Sequence, residues 1–200
     1  FKYQQPNKTT AASWSTAAPL NTARAYLFGC AGDKTASVAF GGNEPPGAVT
    51  GKTESWDGAS WTEVADLNDS RGEIGGCGTQ TAALAAGGNS PGGTGNTESW
   101  DGTSWTEVNN LNSGRYAIGG AGTQTSAIAA GGEPKTGETE LWDGTSWTEV
   151  ADLSVPRQTL GAAGANKTAA LAVGGDQSPP YTNATEEWTL ASTTQKATIS

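Results

Sequence analysis

The sequence predicts an all-β fold built from four copies of one four-stranded unit. Glycine fills 29 of 200 positions, methionine is absent and strong helix formers are sparse, which argues against a helical bundle or coiled coil. Three segments nearly copy one another: TESWDGASWTEVADL from Thr53, TESWDGTSWTEVNNL from Thr97 and TELWDGTSWTEVADL from Thr139, at a period of 44 and then 42 residues. All 8 tryptophans fall into two registers, Trp56, Trp100, Trp142 and Trp188 in one and Trp14, Trp61, Trp105 and Trp147 in the other.

Within a unit the elements follow in a fixed order. A Gly/Ala-rich stretch such as AIGGAG from Ala117 makes the first strand, TQT turns, and AIAAGG makes the second, ending on a double glycine. A variable loop follows, then a third strand TELW, an Asp-Gly turn and a fourth strand SWTEV. Asp-Gly between two tryptophan-bearing strands is a hairpin signal, because the turn needs positive φ and Gly accepts it without steric cost. Asp57, Asp101 and Asp143 therefore read as turn formers and not as catalytic acids. Arg24, Arg71, Arg115 and Arg157 each follow a second-register Trp by ten residues, just ahead of the next Gly/Ala strand.

Four-stranded units of about 40 to 50 residues are blades of a β-propeller. The double glycine after the second strand, the aromatic on the third, the Trp on the fourth and the Arg before the next first strand resemble kelch repeats. The resemblance spans Trp14 to Trp188, with Trp replacing the Tyr usual on the third strand and four units in place of the commoner six or seven. SWDG is also similar to the Asp-box hairpin of sialidase-type propellers, but lacks one spacer between Asp and Gly.

The expected architecture is a single domain over residues 1–200, a four-bladed propeller with units at about 14–56, 61–100, 105–142 and 147–188 and a tail at 189–200. The N-terminal segment enters at a fourth strand, Ser13-Trp14, without its own third strand, while Thr185–Trp188 is a third strand without a fourth. If the two pair, N- and C-terminal strands share one blade and close the ring. The alternative is that the units belong to a longer array or close between chains. Gly and Ala on the first strands (GCAG, GGCG, GGAG, GAAG) suit inner strands crowding an axis.

Strand parity puts the second-to-third loops and the blade-to-blade connections on one face, and the TQT and Asp-Gly turns on the other. The second-to-third loops vary, NEPPGAVTGK from Asn43, NSPGGTGN from Asn89, EPKTGE from Glu133 and DQSPPYTNA from Asp176, whereas the Asp-Gly turns barely change. A ligand site on this face would take Arg24, Arg71, Arg115 and Arg157 as a ring of guanidiniums around the mouth, with Lys52, Lys135 and Tyr181 from the loops. The kelch resemblance implies the same face. The competing account pairs the arginines with Glu63, Glu107 and Glu149; the first unit has Thr16 at that position, leaving Arg24 as the available one. The tryptophans read as packing residues, with sugar stacking as the alternative. Cys30 and Cys77 read as equivalent small buried positions, where Ala121 and Ala163 substitute, and as free thiols.

The charge of −9 without histidine repels phosphate backbones, so nucleic acid is not an expected partner, and the commonest general base is missing. No apolar run nears the ~20 residues of a membrane helix, residues 1–10 lack the core of a signal peptide, and the sequence calls for no metal and no cofactor. Near-identical repeats rich in Gly, Ser and Thr are similar in style to kelch-type repeat proteins of tailed bacteriophages and aquatic bacteria. The expected function is a non-enzymatic binding and assembly module on a virion or outside a cell. Its expected partners are a surface glycan, a neighbouring structural subunit or a second copy in a homo-oligomer. A glycan-processing propeller enzyme of sialidase or lyase type is the alternative.

Overall fold

The computed structural model describes residues 14–27, 29–177 and 181–191. Among them there is no helix, and every sheet is antiparallel. The first sheet joins β1 (Cys30–Gly32) and β2 (Ser37–Phe40) to β5 (Thr53–Trp56) and β6 (Trp61–Glu63), while β3 (Asn43–Glu44) and β4 (Ala48–Val49) form a two-stranded ribbon in the intervening loop. The second contains β7 (Gly75–Thr79), β8 (Ala82–Ala86), β9 (Thr97–Trp100) and β10 (Trp105–Val108). The third contains β11 (Gly119–Thr123), β12 (Ser126–Ala130), β13 (Thr139–Trp142) and β14 (Trp147–Glu149). The fourth has three strands, β15 (Gly161–Asn166), β16 (Ala169–Val173) and β17 (Thr185–Thr189).

The strands pair in sequence order because each connection is short. The Asp-Gly loops occupy four residues between directly paired tryptophans, Trp56 with Trp61, Trp100 with Trp105 and Trp142 with Trp147. Gly58 has φ +96°, and the Asp57 carboxylate accepts from the Ala59 and Ser60 amides at 2.8 Å each. The same arrangement recurs at Asp101 and Asp143. Those amide bonds hold all three carboxyls below the usual range, so these aspartates serve as turn caps.

Successive sheets stack through their Gly/Ala strands, β1 on β7, β7 on β11 and β11 on β15. A Cβ on Gly76 would lie 3.0 Å from the Cys30 amide nitrogen, and one on Gly120 would lie 3.0 Å from the Gly75 carbonyl carbon. Only strands nearly free of side chains approach this closely. Outside this seam the sheets enclose the large apolar groups: Val38, Phe40, Ile74, Trp100 and Trp105 between the first and second, and Leu84, Leu111, Ile118, Trp142 and Trp147 between the second and third. The indole of Trp105 donates to Thr53 Oγ1 of the preceding sheet at 3.1 Å, and Trp147 repeats this on Thr97 at 3.1 Å.

One expectation, the shared closing blade, is not seen among the described residues, and one, the equivalence of the two cysteines, is corrected. Among the described residues the fourth sheet has no outer strand: Trp14 lies in no strand and is fully exposed, and Ser13 is outside the described residues. Nor does β15 pack against β1 as the other inner strands pack against one another. Cys30 and Cys77 are not equivalent, because Cys30 pairs with Ala39 whereas Gly76, one residue before Cys77, pairs with the matching Ala85. One residue along a strand reverses the face. Cys77 is therefore buried, with its thiol pushed up to about 12 by burial, and Cys30 is exposed; both are free. The tail segment beyond residue 191 falls outside the described residues.

Candidate functional site

The four arginines lie inside the protein. Arg71, Arg115 and Arg157 are 0–1% exposed and the Arg24 side chain is 0% exposed, so the expected solvent-facing ring of guanidiniums is not formed. Each pairs with the glutamate of the third strand of the sheet it introduces: Arg24 with Glu54 at 2.9 Å, Arg71 with Glu98 at 3.0 Å, Arg115 with Glu140 at 2.6 Å and Arg157 with Glu186 at 2.6 Å. The partners are thus not Glu63, Glu107 and Glu149, and Arg24 is not the unpaired one. The second carboxylate oxygen accepts from the connecting segment, from the amide and side chain of Asn21, Asn68 and Asn112, and from the Ser154 amide in the last repeat. Burial pulls the Arg71 guanidinium down from its usual range while the Glu98 charge opposes that fall. Burial acts to raise the Glu186 carboxyl, but the Ser154 amide and Arg157 outweigh it and leave the group below the usual range. These knots tie each connection to the next sheet.

Beyond each arginine, the chain carries one residue of positive φ, Tyr26 (+51°), Glu73 (+55°), Ala117 (+55°) and Thr159 (+54°). Their backbones form a ladder from sheet to sheet: Glu73 N–H donates to Tyr26 C=O at 3.2 Å, Ala117 N–H to Glu73 C=O at 2.9 Å and Thr159 N–H to Ala117 C=O at 2.9 Å. The preceding residues bridge to the variable loops, Ala25 to Asn43, Gly72 to Asn89, Tyr116 to Glu133 and Gln158 to Asp176. The sheet-to-sheet connections and second-to-third loops therefore share one face, as parity predicts. On the other face the Asp-Gly loops lie against the TQT turns, with a Cβ on Gly102 falling 3.4 Å from Thr81.

The loop-bearing rim presents an open hollow lined by Glu73, Tyr116, Glu133, Lys135, Gln158 and Thr159. Burial raises the Glu73 carboxyl, the Asn89 side chain opposes this and the Glu133 charge adds to it; burial and the same two carboxylates raise the Tyr116 phenol. Lys135 reaches the hollow while paired to Asp176 at 3.2 Å, and Lys52 pairs with Glu44 at 3.2 Å. Tyr181 is 85% exposed beside Thr159 and Asp176, and Tyr26 is 60% exposed beside Asn43 and Pro45. Of the residues expected to bind, Lys52, Lys135 and Tyr181 thus stand on the rim and the arginines beneath it. Tyr26, Glu73, Tyr116 and Gln158 were missed, although they lie one or two positions past each repeated Arg, where the repeats diverge.

Exposed phenols with carboxylates and a side-chain amide offer flat apolar faces together with hydrogen-bond acceptors and donors. Among the described residues no group of three or more His, Cys, Asp or Glu is arranged to hold a metal, and no helix is long and apolar enough to cross a membrane. Comparison with protein-family models and with curated proteins finds no match.

Proposed function

We propose that this protein is a non-enzymatic binding and assembly module whose four sheets are blades of a kelch-like propeller. On this reading the rim at Tyr26, Glu73, Tyr116, Glu133 and Tyr181 recognises a glycan or a neighbouring structural subunit. The observation that carries it is the contrast on a single face. A backbone ladder repeated from sheet to sheet holds the rim rigid, while the side chains set on that ladder differ in every repeat. A rigid scaffold with divergent loops is where binding residues concentrate. With the arginines occupied by glutamates, hydroxyl-rich neutral sugars suit the rim better than acidic ones, since phenols stack on sugar faces and carboxylates accept from sugar hydroxyls. A virion or extracellular setting belongs to the same proposal and rests on the near-identical Gly/Ser/Thr-rich repeats.

The test is a glycan array probed with the native chain and with the Tyr26→Ala/Glu133→Gln and Tyr181→Ala variants. Binding that at least one rim variant loses, with melting unchanged, is the expected result. Signal that persists in both variants, or no signal on any glycan, sinks glycan recognition at this rim.

A further inference from the structure

The contacts that join one sheet to the next follow a template, and the two ends of the array carry its unmatched halves. At an internal seam the later sheet supplies donors: Trp105 to Thr53 Oγ1 at 3.1 Å, Gln80 Nε2 to Ser55 Oγ at 2.9 Å, and the Glu73 amide to the Tyr26 carbonyl at 3.2 Å. Among the described residues no sheet precedes the first. Its equivalents of those donors are Trp61, Lys34 and the Tyr26 amide; Lys34 is exposed, and neither the Trp61 indole nor the Tyr26 amide has an acceptor among the described residues. Among the described residues no sheet follows the fourth. Its equivalents of the acceptors are Thr185, Glu187 and the Thr159 carbonyl, and both side chains are exposed beside Leu171 (39%) and Val173 (44%).

The substitutions at the two ends match each other. Two internal seams set Gln80 against Ser55 and Gln124 against the Trp100 carbonyl, and the third has Lys167 at that position with Leu141 as the equivalent of Ser55; the two uncovered faces alone offer a cation and an anion at the paired positions, Lys34 and Glu187. The missing outer strand fits the same pattern. Asn21 docks on Glu54 seven residues after Trp14, as Asn68 docks on Glu98 seven residues after Trp61. The segment around Trp14 thus has the spacing of an outer strand on the sheet that precedes the first. Beside the edge of β17 that no described strand pairs, a cavity of about 70 Å³ lined by Ile128, Thr139, Leu153 and Trp188 lies where the repeat calls for an indole on Thr139.

Among the described residues of one chain these halves are not joined as the internal seams are: β15 and β1 lack the close packing of β1 on β7, β7 on β11 and β11 on β15, and Trp14 is fully exposed. From this we infer that the fourth sheet of one chain is covered by the first sheet of a second copy, head to tail, with Lys34 of one chain against Glu187 of the other and the Trp14 segment adding a strand to β17. The contact is heterologous, so it builds a ring if the rotation closes and a filament if it does not. This deepens the assembly half of the proposed function by naming the neighbour. It is independent of glycan recognition, which uses the rim, so failure of one leaves the other standing.

Charge reversal separates this contact from closure inside one chain. The mass of the native chain in solution, measured by light scattering across a dilution series, is expected to rise with concentration above that of one chain. Lys34→Glu alone and Glu187→Lys alone each set like charges in opposition and weaken association by about tenfold or more. Mixing the two variants restores association, because each face then meets its opposite on the other chain. Both residues are exposed, so melting of the single chain is unchanged; Trp14→Ala, also at an exposed residue, weakens association in the same way. A native chain that stays monomeric at every concentration overturns the inference. So does association indifferent to both reversals, or rescue only when both are placed in one chain that remains monomeric.

Discussion

Arg115 shows how much a single side chain carries in this protein. Its guanidinium, 1% exposed, lies 2.6 Å from the equally buried Glu140 and 3.4 Å from the partly exposed Glu138, and its Nε donates to the Gly131 carbonyl at 3.0 Å. The pair is a fastening between connection and sheet, since Glu140 also holds the Asn112 amide at 2.9 Å. Removing one member leaves a buried carboxylate without its counter-charge. Arg115→Ala is therefore expected to destabilise the fold by about 3–5 kcal/mol, read as a fall in the urea midpoint. Glu107→Gln, at an exposed carboxylate, is expected to leave the midpoint almost unchanged, and equal losses in the two variants would reverse the assignment of partners.

At the level of the element, the double glycines end the second strand of each unit by a conformation that a side chain would strain. Gly87 has φ +64°, and a Cβ there would lie 2.5 Å from the Arg115 carbonyl oxygen and 2.5 Å from Ile118 Cδ1. Gly41 and Gly131 repeat this approach on Arg71 and Arg157. Gly87→Ala combines left-handed backbone strain of about 1–2 kcal/mol with a clash that only backbone movement relieves. Gly92→Ala, at φ +100° with nothing within 4 Å, carries backbone strain alone. Thermal melts of the two variants are expected to rank Gly87→Ala well below Gly92→Ala; the reverse order would mean that the strand end yields freely.

Across the whole molecule, stability is distributed unevenly because, among the described residues, the second and third sheets are covered on both faces and the fourth on one. Trp100 and Trp142 are each 1% exposed, whereas the fourth sheet leaves Leu171 and Val173 open to solvent. A sheet that buries less apolar surface opens at a lower free energy, so amides of β15–β17 are expected to exchange with deuterium before those of β7–β14. The measurement belongs in the Lys34→Glu variant, where no second copy covers the sheet. Uniform protection across all four sheets would contradict an uncovered fourth sheet.

The amino-acid sequence alone determined the repeat, the order of strands within it, the Asp-Gly loops and the face that carries the variable loops. Each is a local property of side-chain alternation, glycine and spacing. It pointed to Glu63, Glu107 and Glu149 as the partners of the arginines and overlooked Glu54, Glu98 and Glu140, because Glu54 and Glu63 are directly paired on β5 and β6 and only the tertiary packing leaves β5 interior and β6 at an edge. It equally misplaced Cys30 against Cys77, where one position of register separates solvent from core. Tertiary structure alone settled which sheet faces the described residues leave uncovered. The placement of the fourth sheet relative to the first depends on the packing at all three seams together, and no single residue encodes it.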